Sequence, residues 1–275
     1  MKFTVLAEDK VRKRGILAEH GLSLLIEYQD KHILFDTGQS DVYLRNASAL
    51  QLDLNKTDFI LLSHGHYDHC GGLSYLPDLK KKPNIYLQKS ALKHKYVTNP
   101  DGKTQREIGI PWSLEDYARF SDQLVLLEGM TKIASDISLY DSIPLTSPFE
   151  SAPKGFYIKE GNELSADGME DEQMLVLDTA KGLVIFLGCS HRGVINCLNY
   201  AKKEFPGKKI HTLVAGMHLD LASPQRIEQT IQALQAFDIE NLLPVHCTGI
   251  YAINEMKRFF GERCQILYAG DTFEL

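Results

Sequence analysis

Hydrophobic and polar positions alternate through the first forty residues of the chain. The stretch 22–26 places its leucine and isoleucine side chains on one face, and the stretch 31–35 follows after a short polar turn. Apolar side chains at every second position are typical of half-buried strands. The pattern therefore predicts a β-hairpin that ends at the sequence Asp36-Thr37-Gly38.

Later patterns in the first half are shorter and less regular. The spacing predicts a helix over 41–50, a buried strand over 59–62 and another strand over 85–87. The region 90–160 is rich in proline, glycine and polar residues, and 124–127 is its best strand candidate. Such a stretch indicates an inserted or lid-like region over a site. We expect it to belong to a single domain spanning 1–275.

Strands and helices alternate through the second half of the chain. Apolar runs predict strands over 173–177, 183–187, 210–215, 242–245 and 265–269. Helical patterns lie between them, over 194–203, 223–237 and 250–260. The second of these helices has a strong start signal, with Ser223 as N-cap and Pro224 at the first helical position. Strands flanked by helices predict an α/β protein layered as helix, sheet, sheet and helix.

Composition narrows the class of protein and its partners. Hydrophobic residues make up 44% and charged residues 24% of the 275 positions, which are ordinary globular values that exclude disorder, collagen and coiled coil. The net charge of −6 argues against a general nucleic-acid or anionic-membrane binder. We therefore predict a small-molecule partner, with neither nucleic acid nor membrane; the oligomeric state stays open.

The five cysteines show no paired short spacing, so neither a disulfide framework nor a zinc ribbon is indicated. No export signal is visible at the N-terminus. The strongest apolar run, 183–187, is far too short to cross a bilayer. These features predict a cytoplasmic location.

Candidate chemistry is concentrated in the histidines. Seven of the ten follow predicted strand ends: His64, His66, His69, His191, His218, His246 and, less clearly, His20. Strand ends are where α/β folds place their sites. Four possible ligands fall within the six residues from His64 to His69, directly after the strand 59–62. A single loop histidine is more often solvated, but such a cluster predicts metal binding, and imidazole with carboxylate suits Zn, Fe or Mn.

The form His-x-His-x-Asp-His resembles the motif of the metallo-β-lactamase superfamily. Asp36 resembles that superfamily's early aspartate, and His246 resembles its late histidine ligand. The further motifs Gly-Cys-Ser-His, Met-His-Leu and His-Cys-Thr-Gly resemble one branch, which holds uncharacterised metal-dependent hydrolases and the archaeal dihydropterin–ribofuranosylaminobenzene phosphate synthase. The resemblance covers nearly the whole chain. It implies a four-layer αβ/βα sandwich and a metal-dependent reaction, and it says little about the substrate.

Two positions depart from the common superfamily pattern. The ligand histidine of a Pro-Gly-His turn is missing, because Glu170-Asp171-Glu172 stands near that place. The position of the bridging aspartate falls on Gly188-Cys189. His191 is therefore our candidate replacement ligand. Cys189 is either a bridging thiolate or a small buried residue at a strand end.

Six side chains are then predicted to hold two divalent metal ions, with Zn favoured and Fe or Mn as alternatives: His64, His66 and His191 for one ion, and Asp68, His69 and His246 for the second. Three protein ligands per ion leave room for water, as a catalytic site requires. Asp68 is also predicted to orient the attacking water. His218 is predicted to be a substrate contact or general acid, and His20 receives a weaker version of the same role.

The predicted activity is hydrolysis of a phosphoester or cyclic ester by an ion-activated water. The lysine-rich stretches 80–82 and 89–95 would favour an anionic substrate if they border the site. The alternative is a transferase that displaces pyrophosphate from a pterin-type substrate. A di-iron redox protein is disfavoured, because such members of the superfamily usually carry glutamate where this chain has His66. A secreted lactamase and a nuclease are disfavoured by the missing export signal and by the net charge.

Overall fold

The computed structural model describes all residues, 1–275, and divides them into two compact units that are interleaved along the chain. The first unit contains Met1–Glu128, Gly155–Asp167 and Tyr268–Leu275. The second contains Gly129–Lys154 and Gly168–Leu267. The prediction that 1–275 form a single domain, with 90–160 as an inserted or lid-like region, stays a prediction.

A seven-stranded sheet is the centre of the first unit. Its strands are β1 (Lys2–Ala7), β2 (Ser23–Tyr28), β3 (Lys31–Phe35), β4 (Phe59–Leu61), β5 (Asn84–Gln88), β8 (Leu124–Leu127) and β17 (Thr272–Glu274). They lie in the order β17-β1-β2-β3-β4-β5-β8, antiparallel from β17 to β3 and parallel from β3 to β8. The predicted hairpin is confirmed as β2 and β3. Consecutive residues are buried, 23–26 in β2 and 33–35 in β3, so side chains on both faces of these strands are covered.

The first unit also contains a smaller sheet and three helices. The smaller sheet has the order β12-β11-β6-β7, formed by β6 (His94–Thr98), β7 (Gln105–Glu107), β11 (Phe156–Glu160) and β12 (Glu163–Ala166). The helices are α1 (Val42–Ala49), α2 (Tyr67–Cys70) and α3 (Leu114–Phe120). The sequence did not predict the smaller sheet. All residues of β7 and β12 are exposed, so these strands carry no alternation between buried and exposed faces.

The second unit is a six-stranded sheet with three helices. Its strands, in the order β16-β15-β14-β13-β10-β9, are β9 (Thr131–Ala134), β10 (Ile137–Tyr140), β13 (Met174–Thr179), β14 (Gly182–Leu187), β15 (Ile210–Ala215) and β16 (Asn241–Pro244). The helices are α4 (Val194–Glu204), α5 (Pro224–Gln235) and α6 (Ile250–Phe260). Every residue of β15 is buried, which fits its central place between two parallel neighbours.

Local signals set the bounds of the helices in the second unit. Ser223 caps α5 as predicted, because its side chain accepts a hydrogen bond from the backbone N–H of Arg226. The buried residues of α5 recur at Ile227, Thr230, Ile231 and Leu234, so one face packs on the core. This helix ends at Gln235, two residues before the predicted end. The predicted helices over 194–203 and 250–260 are confirmed as α4 and α6.

The predicted strand over 265–269 is wrong. The backbone N–H of Gln265 bonds to Leu242, whereas that of Ala269 bonds to Lys10. The two ends of the segment thus pair with different partners, and only isolated bridges form. The last strand is instead β17, which pairs with β1. The apolar run reflects burial of a connecting segment rather than a continuous ladder. The remaining regular elements are short 3₁₀ helices, which lie at Leu54–Lys56, Gly71–Tyr75, Lys89–Leu92, His246–Thr248 and Gly261–Arg263.

None of the helices combines the length and the apolar character that crossing a membrane would require.

Candidate metal centre

The histidine cluster of the first unit follows β4 and runs into α2. His64, His66, Asp68 and His69 are all buried, with exposed fractions of 1%, 4%, 7% and 0%. His64 Nε2 lies 3.0 Å from His66 Nδ1. A tetrahedral zinc ion with Zn–N bonds of ~2.0 Å separates two nitrogen ligands by ~3.3 Å. The two rings thus converge about as closely as two ligands of one ion do.

Gly65 separates the two converging histidines for a steric reason. A Cβ at this position would lie 2.4 Å from the backbone oxygen of Ala91, so any larger residue would displace the loop. The φ of Gly65 is not in the left-handed region. Close approach of two backbones, rather than a special bend, therefore requires glycine here.

Asp36 supports the cluster from the end of β3. Its Oδ1 accepts from the backbone N–H of Ser63, and its Oδ2 accepts from Ser63 Oγ and His69 Nδ1, each at 2.7 Å. The carboxylate is fully buried. Because a carboxylate only accepts, His69 carries its proton on Nδ1. The other nitrogen, Nε2, is thereby the one that can act as a metal ligand.

Asp68 lies between two histidines. Its Oδ2 is 3.2 Å from His20 Nε2 and 3.8 Å from His69 Nε2. The second ring nitrogen of His20 is 3.1 Å from Asp9 Oδ2. The sequence assigned His20 only a weak role, but the structure brings this half-exposed ring into direct contact with the predicted catalytic carboxylate. The His20 ring therefore lies between two carboxylates, with one at each of its nitrogens.

In the second unit, His191 follows β14 and is held by a buried glutamate. Glu172 Oε1 accepts from the backbone N–H of His191 at 2.5 Å and lies 3.3 Å from its Nδ1. Glu172 Oε2 accepts from the backbone N–H of Arg192 at 2.9 Å. The sequence noted this glutamate only as the residue near a missing histidine. It fixes the backbone turn that carries His191 by accepting from two successive N–H groups.

His218 follows β15 and lies beside His191, with ring centroids 4.7 Å apart. The backbone N–H of His218 donates to Cys247 Sγ at 3.3 Å. The ligand atoms of Cys189, His218 and Cys247 all lie within 4.8 Å of one another. Sequence reasoning noted Cys189 but missed Cys247, whose only signal was its place next to His246.

The Cys247 thiol has an unusual acidity. Burial raises its pKa, but contact with Cys189 and the charges of His246 and His218 outweigh burial, and the pKa lies well below its ordinary value. A lowered pKa favours the thiolate, which is the form of cysteine that binds metal ions. The second unit therefore offers soft sulfur donors as well as imidazoles.

Four of the residues at these strand ends have left-handed backbones. The φ angles are 57° at Asp36, 45° at Ser190, 47° at His218 and 48° at His246. Such conformations cost about 1–3 kcal/mol each for residues other than glycine, and they cluster at functional sites. His246 is also buried, in the 3₁₀ turn after β16. Four of the ten residues other than glycine with positive φ therefore lie beside or among the candidate ligands.

Comparison with known proteins identifies the family. A sequence profile described as the metallo-beta-lactamase superfamily matches residues 17–146. A crystal structure described as a metal-dependent hydrolase of the beta-lactamase superfamily is 34% identical in sequence. It superposes with a TM-score of 0.85 over 100% of this chain and 99% of its own. The chain belongs to the metallo-β-lactamase superfamily. The predicted α/β fold of this superfamily is confirmed.

Two superfamily relatives from Methanocaldococcus jannaschii match almost the whole chain. An uncharacterised protein is 33% identical over 251 residues, which cover 91% of this chain and 92% of the relative. A protein named 7,8-dihydropterin-6-methyl-4-(beta-D-ribofuranosyl)-aminobenzene-5'-phosphate synthase is 32% identical over 289 aligned residues, which cover 98% of this chain and 95% of the relative. Superfamily members of comparable similarity to this chain thus carry a hydrolase name and a synthase name.

Proposed function

We propose that the protein is a metal-dependent hydrolase of the metallo-β-lactamase superfamily, which acts on a phosphoester or cyclic ester. One observation carries the proposal: four buried donor side chains lie within six residues from the end of β4 into α2, in a chain that is 34% identical throughout to a named metal-dependent hydrolase. Burying several histidines and a carboxylate together is costly unless they serve a charged partner such as a metal ion.

The donor set fits two divalent ions. We propose that His64, His66 and His191 hold one ion and that Asp68, His69 and His246 hold the other. Neutral imidazole and carboxylate suit Zn, Fe and Mn, and Zn is the ion we favour. When bound, such ions would polarise the scissile bond and stabilise the negative charge that develops on its oxygens. Three ligands for each ion leave positions open for water and substrate.

The remaining chemistry is assigned to side chains of the protein. Asp68 accepts the proton of the attacking water and passes it to His20, its neighbour at 3.2 Å. His218 is exposed beside His191, where it can donate a proton to the leaving group. Asp36 keeps the ring of His69 in the orientation that leaves Nε2 for the ion, and Glu172 holds the backbone turn that carries His191.

Metal content tests this assignment. Elemental analysis of protein purified without chelators is expected to give about two ions per chain, and His191→Ala is expected to retain about one, because three ligands become two. His94→Ala is the matched control, since its ring lies on the surface of β6 and contacts Glu107. An unchanged metal content in His191→Ala would remove His191 from the ligand set.

A second candidate function is supported by the synthase name of the 32% identical relative. In this alternative the protein displaces pyrophosphate from a pterin-type substrate, and an aminobenzene acceptor attacks in place of water. The same side chains would bind the ions and receive the proton. Which nucleophile attacks is therefore the difference between the two candidates.

One pair of assays separates the candidates. The metal-loaded protein is first offered phosphomonoesters, phosphodiesters and lactones, and hydrolysis is followed by product release. It is then offered a dihydropterin pyrophosphate with a ribofuranosyl-aminobenzene phosphate acceptor, and coupled product is sought by mass spectrometry. Ester hydrolysis without coupled product is the expected result. Coupled product with no turnover of any ester would transfer the assignment to the synthase.

A further inference from the structure

A cavity of about 230 Å³ opens beside His191 and His218 in the second unit. Its wall contains one permanently charged side chain, Arg226, together with the two imidazoles and the hydroxyl-bearing Ser151 and Ser190. No carboxylate lines the cavity. A pocket with a guanidinium and no acidic group on its wall attracts anions.

Arg226 is held firmly in the cavity wall. Its Nη1 donates to the backbone oxygen of Phe149 at 2.7 Å, and its Nη2 donates to Glu150 Oε1 at 3.3 Å. Its guanidinium carbon lies 5.1 Å from the centre of the Phe149 ring. A guanidinium has five N–H donors, and these two bonds use two of them. The group is thus oriented in advance and keeps donors for a ligand.

Glu150 offsets part of the Arg226 charge but does not itself line the cavity. Its side chain is fully buried behind Arg226, and it accepts from the backbone N–H groups of Ile195 and Asn196 at the start of α4. Burial raises the pKa of Glu150. A Cβ at Gly193 would lie 2.1 Å from its carboxylate, so only glycine at this position leaves space for the Glu150 side chain. The carboxylate serves as an anchor for Arg226 and as a cap for α4.

We propose that this cavity is an oxyanion subsite that binds the phosphate group of a phosphorylated small-molecule substrate. Arg226 supplies N–H donors, and Ser151 and His218 supply further donors from the cavity lining. Donors from three side chains match the three terminal oxygens of a phosphate monoester better than the two oxygens of a planar carboxylate. The inference rests on the proposed function only in placing that substrate beside His191 and His218.

Calorimetric titration of the metal-loaded protein with inorganic phosphate tests the subsite. Arg226→Met is expected to weaken phosphate binding by about tenfold or more, since charge-assisted hydrogen bonds are lost. Arg226→Lys keeps the charge without the planar fork, so an intermediate loss is expected. Arg258→Met is the matched control, because this arginine lies exposed on α6. Acetate, titrated in parallel, is expected to bind more weakly than phosphate and to respond less to the Arg226 variants.

A second variant keeps the test decisive if Arg226→Met fails to fold. Ser151 is exposed on the cavity wall, so Ser151→Asp changes no buried contact but introduces a like charge. It is expected to weaken phosphate binding by about fivefold or more. Absence of phosphate binding by the parent would overturn the proposal. So would parent-like phosphate binding in folded Arg226→Met, or in Ser151→Asp when Arg226→Met does not fold, because the anion would then bind elsewhere.

Calorimetry also keeps this proposal separate from the proposed function. Binding of phosphate requires no turnover, so a protein that hydrolyses none of the esters can still show Arg226-dependent binding. A protein that hydrolyses esters but binds phosphate independently of Arg226 would retain the hydrolase assignment and lose the subsite.

Discussion

Replacing Asp68 by asparagine is expected to lower kcat/KM for ester hydrolysis by about 10³-fold while leaving the fold intact. The amide has nearly the shape of the carboxylate and can still contact His20. It cannot take up the proton of the attacking water, and it brings no negative charge to an ion. The measurement is the rate with the best ester from the hydrolysis screen, and circular dichroism verifies the fold.

Asp122→Asn is the matched control for this prediction. Asp122 lies exposed in the turn between α3 and β8 and is not part of the proposed ligand set or proton path. Its substitution is expected to change kcat/KM by no more than about threefold, because an exposed carboxylate far from the reacting groups contributes little. If Asp68→Asn retained a tenth or more of the parental activity, Asp68 would not be a catalytic residue.

Replacing Asp36 by alanine is expected to lower the free energy of unfolding by about 3–5 kcal/mol. Three buried donors would lose their acceptor at once: Ser63 N–H, Ser63 Oγ–H and His69 Nδ1–H. Urea unfolding followed by circular dichroism measures the effect. Parent and variant are compared in the presence of a chelator, because bound metal would itself stabilise the folded state.

Asp30→Ala provides the comparison for a carboxylate outside the cluster. Asp30 lies exposed in the turn between β2 and β3 and pairs only with the neighbouring Lys31. Its removal is expected to change the unfolding free energy by no more than about 0.5 kcal/mol. A loss below about 1 kcal/mol for Asp36→Ala would show that the buried network does not depend on this carboxylate.

Structural features that depend on residues close together in the chain could be predicted from the sequence. The start of α5 follows from the adjacent Ser223 and Pro224, and the hairpin of β2 and β3 follows from a period of two across a polar turn. The cluster from His64 to His69 is likewise contiguous, so its chemistry was visible before its geometry. In each case the decisive residues are neighbours in the chain.

Where such local signals were weak, sequence reasoning failed. The strands β7 and β12 are exposed along their whole length and therefore carry no hydrophobic alternation. The segment 265–269 has the apolar composition of a strand, yet its two ends bond to Leu242 and Lys10 instead of forming one ladder. The hydrophobic pattern of the sequence therefore missed strands that are exposed, and it predicted a strand wrongly where an apolar segment is not paired along its whole length.

The sequence by itself determined the family, the class of fold and the contiguous donor cluster, because periodicity, caps and a short motif are local properties. Only the tertiary structure decided which distant side chains support the candidate ligands. Glu172 reaches His191 across 19 positions, and Arg226 reaches Phe149 across 77. These contacts leave no pattern of spacing in a single chain, because they arise when separately formed strands and helices bring their ends together. The left-handed backbones of Asp36, His218 and His246 were likewise visible only in the tertiary structure, although aspartate and histidine adopt this region more often than most residues.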